Sequence, residues 1–126
     1  MKILAIVTSL MILGIATQAE AAPFQFKNYQ ASYTLRYDGI PFGTSTTTFI
    51  TDEKNHYTLC INNKSTLSFL QGTDKECSVG IITSHTVKPL TYDYDFKRSH
   101  DHQHIHIDFD WQKNIATMTT DRKSVV

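Results

Sequence analysis

Four histidines occupy alternate positions in the stretch HDHQHIHIDFDW: His100, His102, His104 and His106. Asp108 and Asp110 continue the spacing. Imidazole can ligate a metal, move a proton, or change charge near neutral pH. On a β-strand alternate residues share one face and stand about 6.6 Å apart per step. A His-x-His pair in that arrangement can chelate zinc or copper, and a carboxylate can supply a third ligand or orient a ring. The sharpest metal reading takes His104 and His106, with Asp95 or His102 completing the set. The plainer reading is that a sheet with one buried face must present a soluble opposite face, and histidine is acceptable there. A third reading is pH sensing. Imidazoles crowded on one face repel when protonated, which predicts stability falling as pH drops through about 6.

The elements that must position these residues are strands. Short runs of aromatic, β-branched and polar residues alternate throughout, separated by turn residues. The alternation predicts strands over residues 29–37, 42–51, 56–62, 77–83, 91–97, 103–111 and 115–120. Asp38-Gly39 is a strong two-residue hairpin signal, because both positions tolerate φ > 0. Residues 52–55 and Lys113-Asn114 read as further turns, and Ser65–Gly72 as one helical turn capped by Gly72 or a wide apolar loop. A hairpin turning at His100-Asp101 would set Tyr92 against Phe109, Tyr94 against Ile107 and Phe96 against Ile105. Apolar then meets apolar on one face. On the other face Asp95 would oppose His106, Lys97 would oppose His104, and Asp93 would oppose Asp108. A slip by two residues keeps the same parity.

Other chemistry has thinner support. No nucleophile motif, phosphate-binding glycine loop or dinucleotide fingerprint is present. Asp93, Asp95, Asp108 and Asp110 could form paired carboxylates of the glycosidase kind, but a solvated strand face accounts for them. Tyr33, Leu35, Tyr37, Phe42, Phe49, Tyr92, Tyr94, Phe96, Phe109 and Trp111 form the expected inward set. Such an aromatic interior is either simple core packing or a site for lipids and other apolar ligands.

The N-terminus supplies a compartment. Lys2 precedes an apolar run, residues 3–16, too short for a confident membrane span, and Ala19-Glu20-Ala21 has small residues where a signal peptidase reads. Residues 1–21 therefore read as a cleaved secretory signal peptide, leaving no stable membrane anchor and placing the mature chain in a bacterial periplasm. The formal charge is zero and stays zero without the leader, which loses one charge of each sign. A neutral chain without basic clusters has no electrostatic footprint for nucleic acid or anionic membrane. In an oxidising compartment the two cysteines, Cys60 and Cys77, are expected to form a disulfide across the third and fourth strands.

The order of these segments carries a resemblance. ASYTLRYDGIPFGTSTTTF is followed by HYTLCIN, a Ser/Leu/Phe segment, VKPLTYDYDF and HIDFDWQKNIATM. This layout resembles the N-terminal half of an exported bacterial family known as a domain of unknown function, DUF3108. Its features are the Tyr-rich strand, Gly39 and Gly43 around the first hairpin, the Pro89-Leu90 step and the Phe109-Asp110-Trp111 strand end. The resemblance implies an antiparallel all-β envelope protein and transfers no functional residue. It also implies a longer domain, so residues 22–120 are expected to form an incomplete curved sheet or partial β-barrel. The final DRKSVV, residues 121–126, matches the translation of a common sequencing-adapter read-through and is expected to be a non-native tail. The function expected is a non-enzymatic binding or structural role in the periplasm. Its partner would be an apolar small molecule or an envelope component. The alternatives are a carrier of lipid or another apolar ligand, and zinc or copper binding through the histidine stripe. No other cofactor is implied.

Overall fold

The computed structural model describes residues 26–68 and 71–124. The expected leader, residues 69–70 of the Ser65–Gly72 segment and the last two residues lie outside the described residues. Seven strands run β1 (Tyr29–Tyr37), β2 (Ile40–Thr51), β3 (His56–Ser65), β4 (Gly72–Ile82), β5 (Val87–Arg98), β6 (Asp101–Asp110) and β7 (Ile115–Ser124). Each pairs antiparallel with the next, giving one sheet in the order β1-β2-β3-β4-β5-β6-β7 with β1 and β7 at its edges. The sheet is open and does not close into a barrel, and the described residues contain no helix.

Tight turns hold the meander together. Asp38 and Gly39 adopt φ of 47° and 78°, as a two-residue hairpin loop requires, and Tyr37 pairs with Ile40 across it. At the β2–β3 turn Asp52 accepts hydrogen bonds from the Lys54 and His56 amides at 2.8 and 2.9 Å, while Asn55 takes φ 61°. Asp110 likewise accepts from the Gln112 and Lys113 amides, both at 3.1 Å, before Asn114 at φ 53°. Short acceptor side chains and left-handed asparagines thus do the turning. Ser65 pairs directly with Gly72, so the expected helical cap at Gly72 is instead the first residue of β4.

The turn between β5 and β6 lies at Ser99-His100, because Arg98 pairs with Asp101. The expected register is therefore corrected by two residues: Tyr92 faces Ile107, Tyr94 faces Ile105 and Phe96 faces Gln103. The assignment of faces survives, since a shift of two preserves parity. One row of side chains crosses the whole sheet as Tyr29, Phe49, Leu59, Ser78, Tyr92, Ile107 and Met118. The neighbouring row on the opposite face runs Gln30, Thr48, Cys60, Cys77, Asp93, His106 and Thr119. β7 continues past Thr120, with Asp121 paired to His104. Ladder bonds are made by the backbone, so this extension follows from the pleat and not from the identity of the side chains.

The inward aromatic set is also corrected. Among the described residues only Phe49, Tyr57 and Ile82 are buried hydrophobics, whereas Tyr33, Tyr37 and Trp111 are 58, 78 and 45% exposed. One layer of sheet cannot bury both of its faces, and nothing in the described residues covers the apolar one. The small core forms beside a register shift between β4 and β5. Val79 pairs with Thr91 and Gly80 with Pro89, leaving Leu90 as an extra residue in a bulge. Tyr57 lies over Gly80, where an added Cβ would meet the Tyr57 ring at 2.8 Å and the backbone of Lys88 and Pro89. Glycine is thus what lets the ring approach the sheet.

Cys60 and Cys77 sit directly opposite on β3 and β4, bonded, with Cα atoms 4.2 Å apart. Closing a loop of this length stabilises the fold by about 3 kcal/mol in the chain-entropy account. Reduction, or a Cys60→Ser/Cys77→Ser double substitution, is expected to lower the urea midpoint by the equivalent of about 2–4 kcal/mol. An unchanged midpoint would show that the bond contributes nothing.

Candidate functional site: an aspartate–histidine chain and an aromatic concavity

The polar face carries the sequence-predicted residues on the β5–β6 hairpin. Asp95 lies opposite His104, Lys97 opposite His102 and Asp93 opposite His106, each one step from the expected pairing. The carboxylates stand between imidazoles. Asp95 accepts from His102 Nε2 at 2.9 Å and from His104 Nδ1 at 3.0 Å. Asp93 accepts from His106 Nδ1 at 2.7 Å and lies 3.5 Å from His104 Nε2. His106 Nε2 meets Asp108 at 3.2 Å. The result is one continuous chain, Asp108–His106–Asp93–His104–Asp95–His102. His100 lies outside it, in the turn.

This arrangement bears on each proposed chemistry. His106 reaches Asp93 and Asp108 instead of Asp95, so the three ligands of the sharpest metal set do not share a centre. Among the described residues no group of three or more His, Cys, Asp or Glu side chains is disposed to hold a metal ion. Of the four aspartates, three are each engaged by imidazole and Asp110 caps a turn.

Carboxylates accept only, so a ring bonded through both nitrogens must carry both protons. His106 is in that position, and its pKa is raised above the usual 6.5, chiefly by the hydrogen bond to Asp93 and then by that to Asp108. Asp95 is held below the usual 3.8, first by its hydrogen bond from His102 and then by that from His104. Protonation of His106 therefore strengthens its contacts with Asp93 and Asp108, the opposite sense to the repulsion expected from the histidines alone. The missing signal was the partner strand: the β5 carboxylates interleave with the β6 rings.

The opposite face carries the second feature. Phe26, Tyr29, Phe49, Tyr57, Leu59, Ile82 and Val87, with Lys27 and Ser78, line an open concavity of about 580 Å³. Phe49 is its centre, with ring centroids 5.9 Å from Phe26, 5.7 Å from Tyr29 and 6.3 Å from Tyr57. The polar groups of its floor satisfy each other, Tyr57 Oη and Ser78 Oγ standing 2.9 Å apart. The arm before β1 is clasped in place, as Asn28 Oδ1 accepts from the Thr51 amide at 2.7 Å and its hydroxyl at 3.1 Å. Farther along the same face the Tyr92 hydroxyl donates to Glu76 at 2.8 Å, and burial followed by that bond pushes its pKa up to about 12. Of the apolar lining only Phe49 was in the expected inward set; Phe26, Tyr29, Tyr57, Leu59, Ile82 and Val87 were not. Tyr57 shares the parity of Leu59 and was legible; the arm and the β4–β5 ends meet only through tertiary pairing.

The family model described as a protein of unknown function (DUF3108) matches residues 29–125, the whole of this sheet. The chain belongs to the DUF3108 family. No curated protein and no solved structure matches it. Membership names no function and no site, so the chemistry of this DUF3108 chain rests on its own two faces.

The signs of the two shifts define a pH window. The raised His106 pKa contributes stability that is full below about 6.5 and is lost as pH rises through the folded-state value. The depressed Asp95 pKa contributes stability that is present above about 3.8 and is lost below it. The melting temperature is expected to be higher at pH 5.5 than at pH 8, and Asp93→Asn is expected to flatten that rise. A melting temperature falling from pH 8 to 5.5 would contradict the chain.

Proposed function

We propose that this chain is an exported, non-enzymatic envelope protein that binds an apolar ligand on the aromatic face of its sheet. The observation that carries the reading is the concavity around Phe49. It has the size of a small-molecule site, an almost wholly apolar lining, and polar floor groups already satisfied by each other. A ligand chain entering it gains about 0.8 kcal/mol for each methylene taken out of water. Export is supported by the leader-like residues 1–21 and by a cysteine pair at bonding distance, which an oxidising compartment preserves.

A neutral solvatochromic dye such as Nile red is expected to bind the purified mature protein with one site per chain. Val87 is 54% exposed at the rim, so Val87→Asp places a charge in the concavity without emptying the core, and is expected to weaken dye binding by about tenfold. Ile50→Asp, on the opposite face, is expected to leave it unchanged. Equal effects of the two substitutions would refute the site.

Export has its own readout. N-terminal sequencing of the protein from a bacterial periplasm is expected to begin at Ala22. Retention of the intact N-terminus in the cytoplasm would overturn that part of the proposal.

A further inference from the structure

Resting on the apolar-ligand reading, we infer that the ligand is a single-chain amphiphile with an anionic head group, seated with its head at Lys27 and its chain over Phe49. Charge on this face is distributed unevenly. Lys27 is the one charged residue lining the concavity, is exposed, and among the described residues has no acidic partner. Its position is fixed from both sides: the Phe26 ring packs against Phe49, and Asn28 is clasped by Thr51. The far end of the face is mixed in charge, with acidic side chains on β4 and Arg98 of β5 beside them over the Phe96 ring. Glu76 is two residues from Ser78 on β4, with Asp74 two residues beyond it. At that end Arg98 offsets part of the acidic charge, whereas at the mouth of the concavity an anionic head meets Lys27 alone and a cationic head meets no acidic partner among the described residues. The floor asks for no head group, since the Tyr57 and Ser78 hydroxyls are paired. The polar end of an amphiphile therefore remains at the mouth, where a surface charge pair can form and still be hydrated.

Such a pair is modest and screened by salt, and that gives the test its discrimination. Nile red is displaced from the full mature protein with decanoate, decanol and decyltrimethylammonium, which share one chain and differ in the charge of the head. Decanoate is expected to compete about fivefold better than decanol at low salt, and the advantage is expected to vanish in molar salt. Lys27→Met is expected to remove the advantage while leaving decanol unaffected, and Lys27→Glu to transfer it to decyltrimethylammonium. Lys113→Met, in the β6–β7 turn, is expected to change nothing. Equal competition by decanoate and decanol in the unaltered protein would overturn the anionic head while leaving the apolar site standing. Failure of all three to displace the dye would overturn both.

Discussion

Register is the constraint on which the rest depends. In a single antiparallel sheet every side chain belongs to one of two faces, and a one-residue displacement of any strand would exchange them. Cross-strand pairing carries the Tyr29–Met118 and Gln30–Thr119 rows through all seven strands, so the row that holds Phe49 and the row that holds Asp93 and His106 stand back to back one residue apart. The aspartate–histidine chain and the Phe49 concavity are thus two readings of one alignment. What fixes that alignment is short and local: two-residue or side-chain-capped turns, a bulge at Leu90, and one covalent cross-link.

The sequence made the faces legible because parity is a property of each strand by itself. It left the β5–β6 register open because a displacement of two preserves parity. The turn, at Ser99-His100 instead of His100-Asp101, depends on how the whole hairpin pairs. That small difference changes which groups meet. With Asp95 opposite His106 the stripe looks like a ligand set; with Asp95 between His102 and His104 it is a ladder of charge-assisted hydrogen bonds. The cysteine pair was read correctly as lying across β3 and β4. The core was misjudged for a different reason. Alternation says which residues avoid water, but burial needs a second layer, and strand pattern does not encode what lies above a sheet. Tyr33 and Tyr37 have the right parity and remain largely exposed, while Tyr57 is buried because Gly80 lets it lie close.

The two faces also differ in how they respond to solvent. Salt and pH act on the hairpin chain through groups that stay partly exposed, so its contribution is adjustable and modest. The concavity is lined almost wholly by apolar side chains, with one lysine at its mouth.

The cross-link between Cys60 and Cys77 has a mechanical consequence. The described chain begins at one edge of the sheet and ends at the other, so tension between its ends peels strands away in succession from both sides. Each ladder yields separately, a low-force unzipping, until the peel reaches β3 and β4. There the bond carries the load directly. Residues 61–76 are enclosed by it and cannot be drawn out while it is intact. The hairpin at the centre of the sheet is therefore the part of the molecule that tension cannot extend, and the oxidation state of two sulfur atoms sets how far the chain can be pulled.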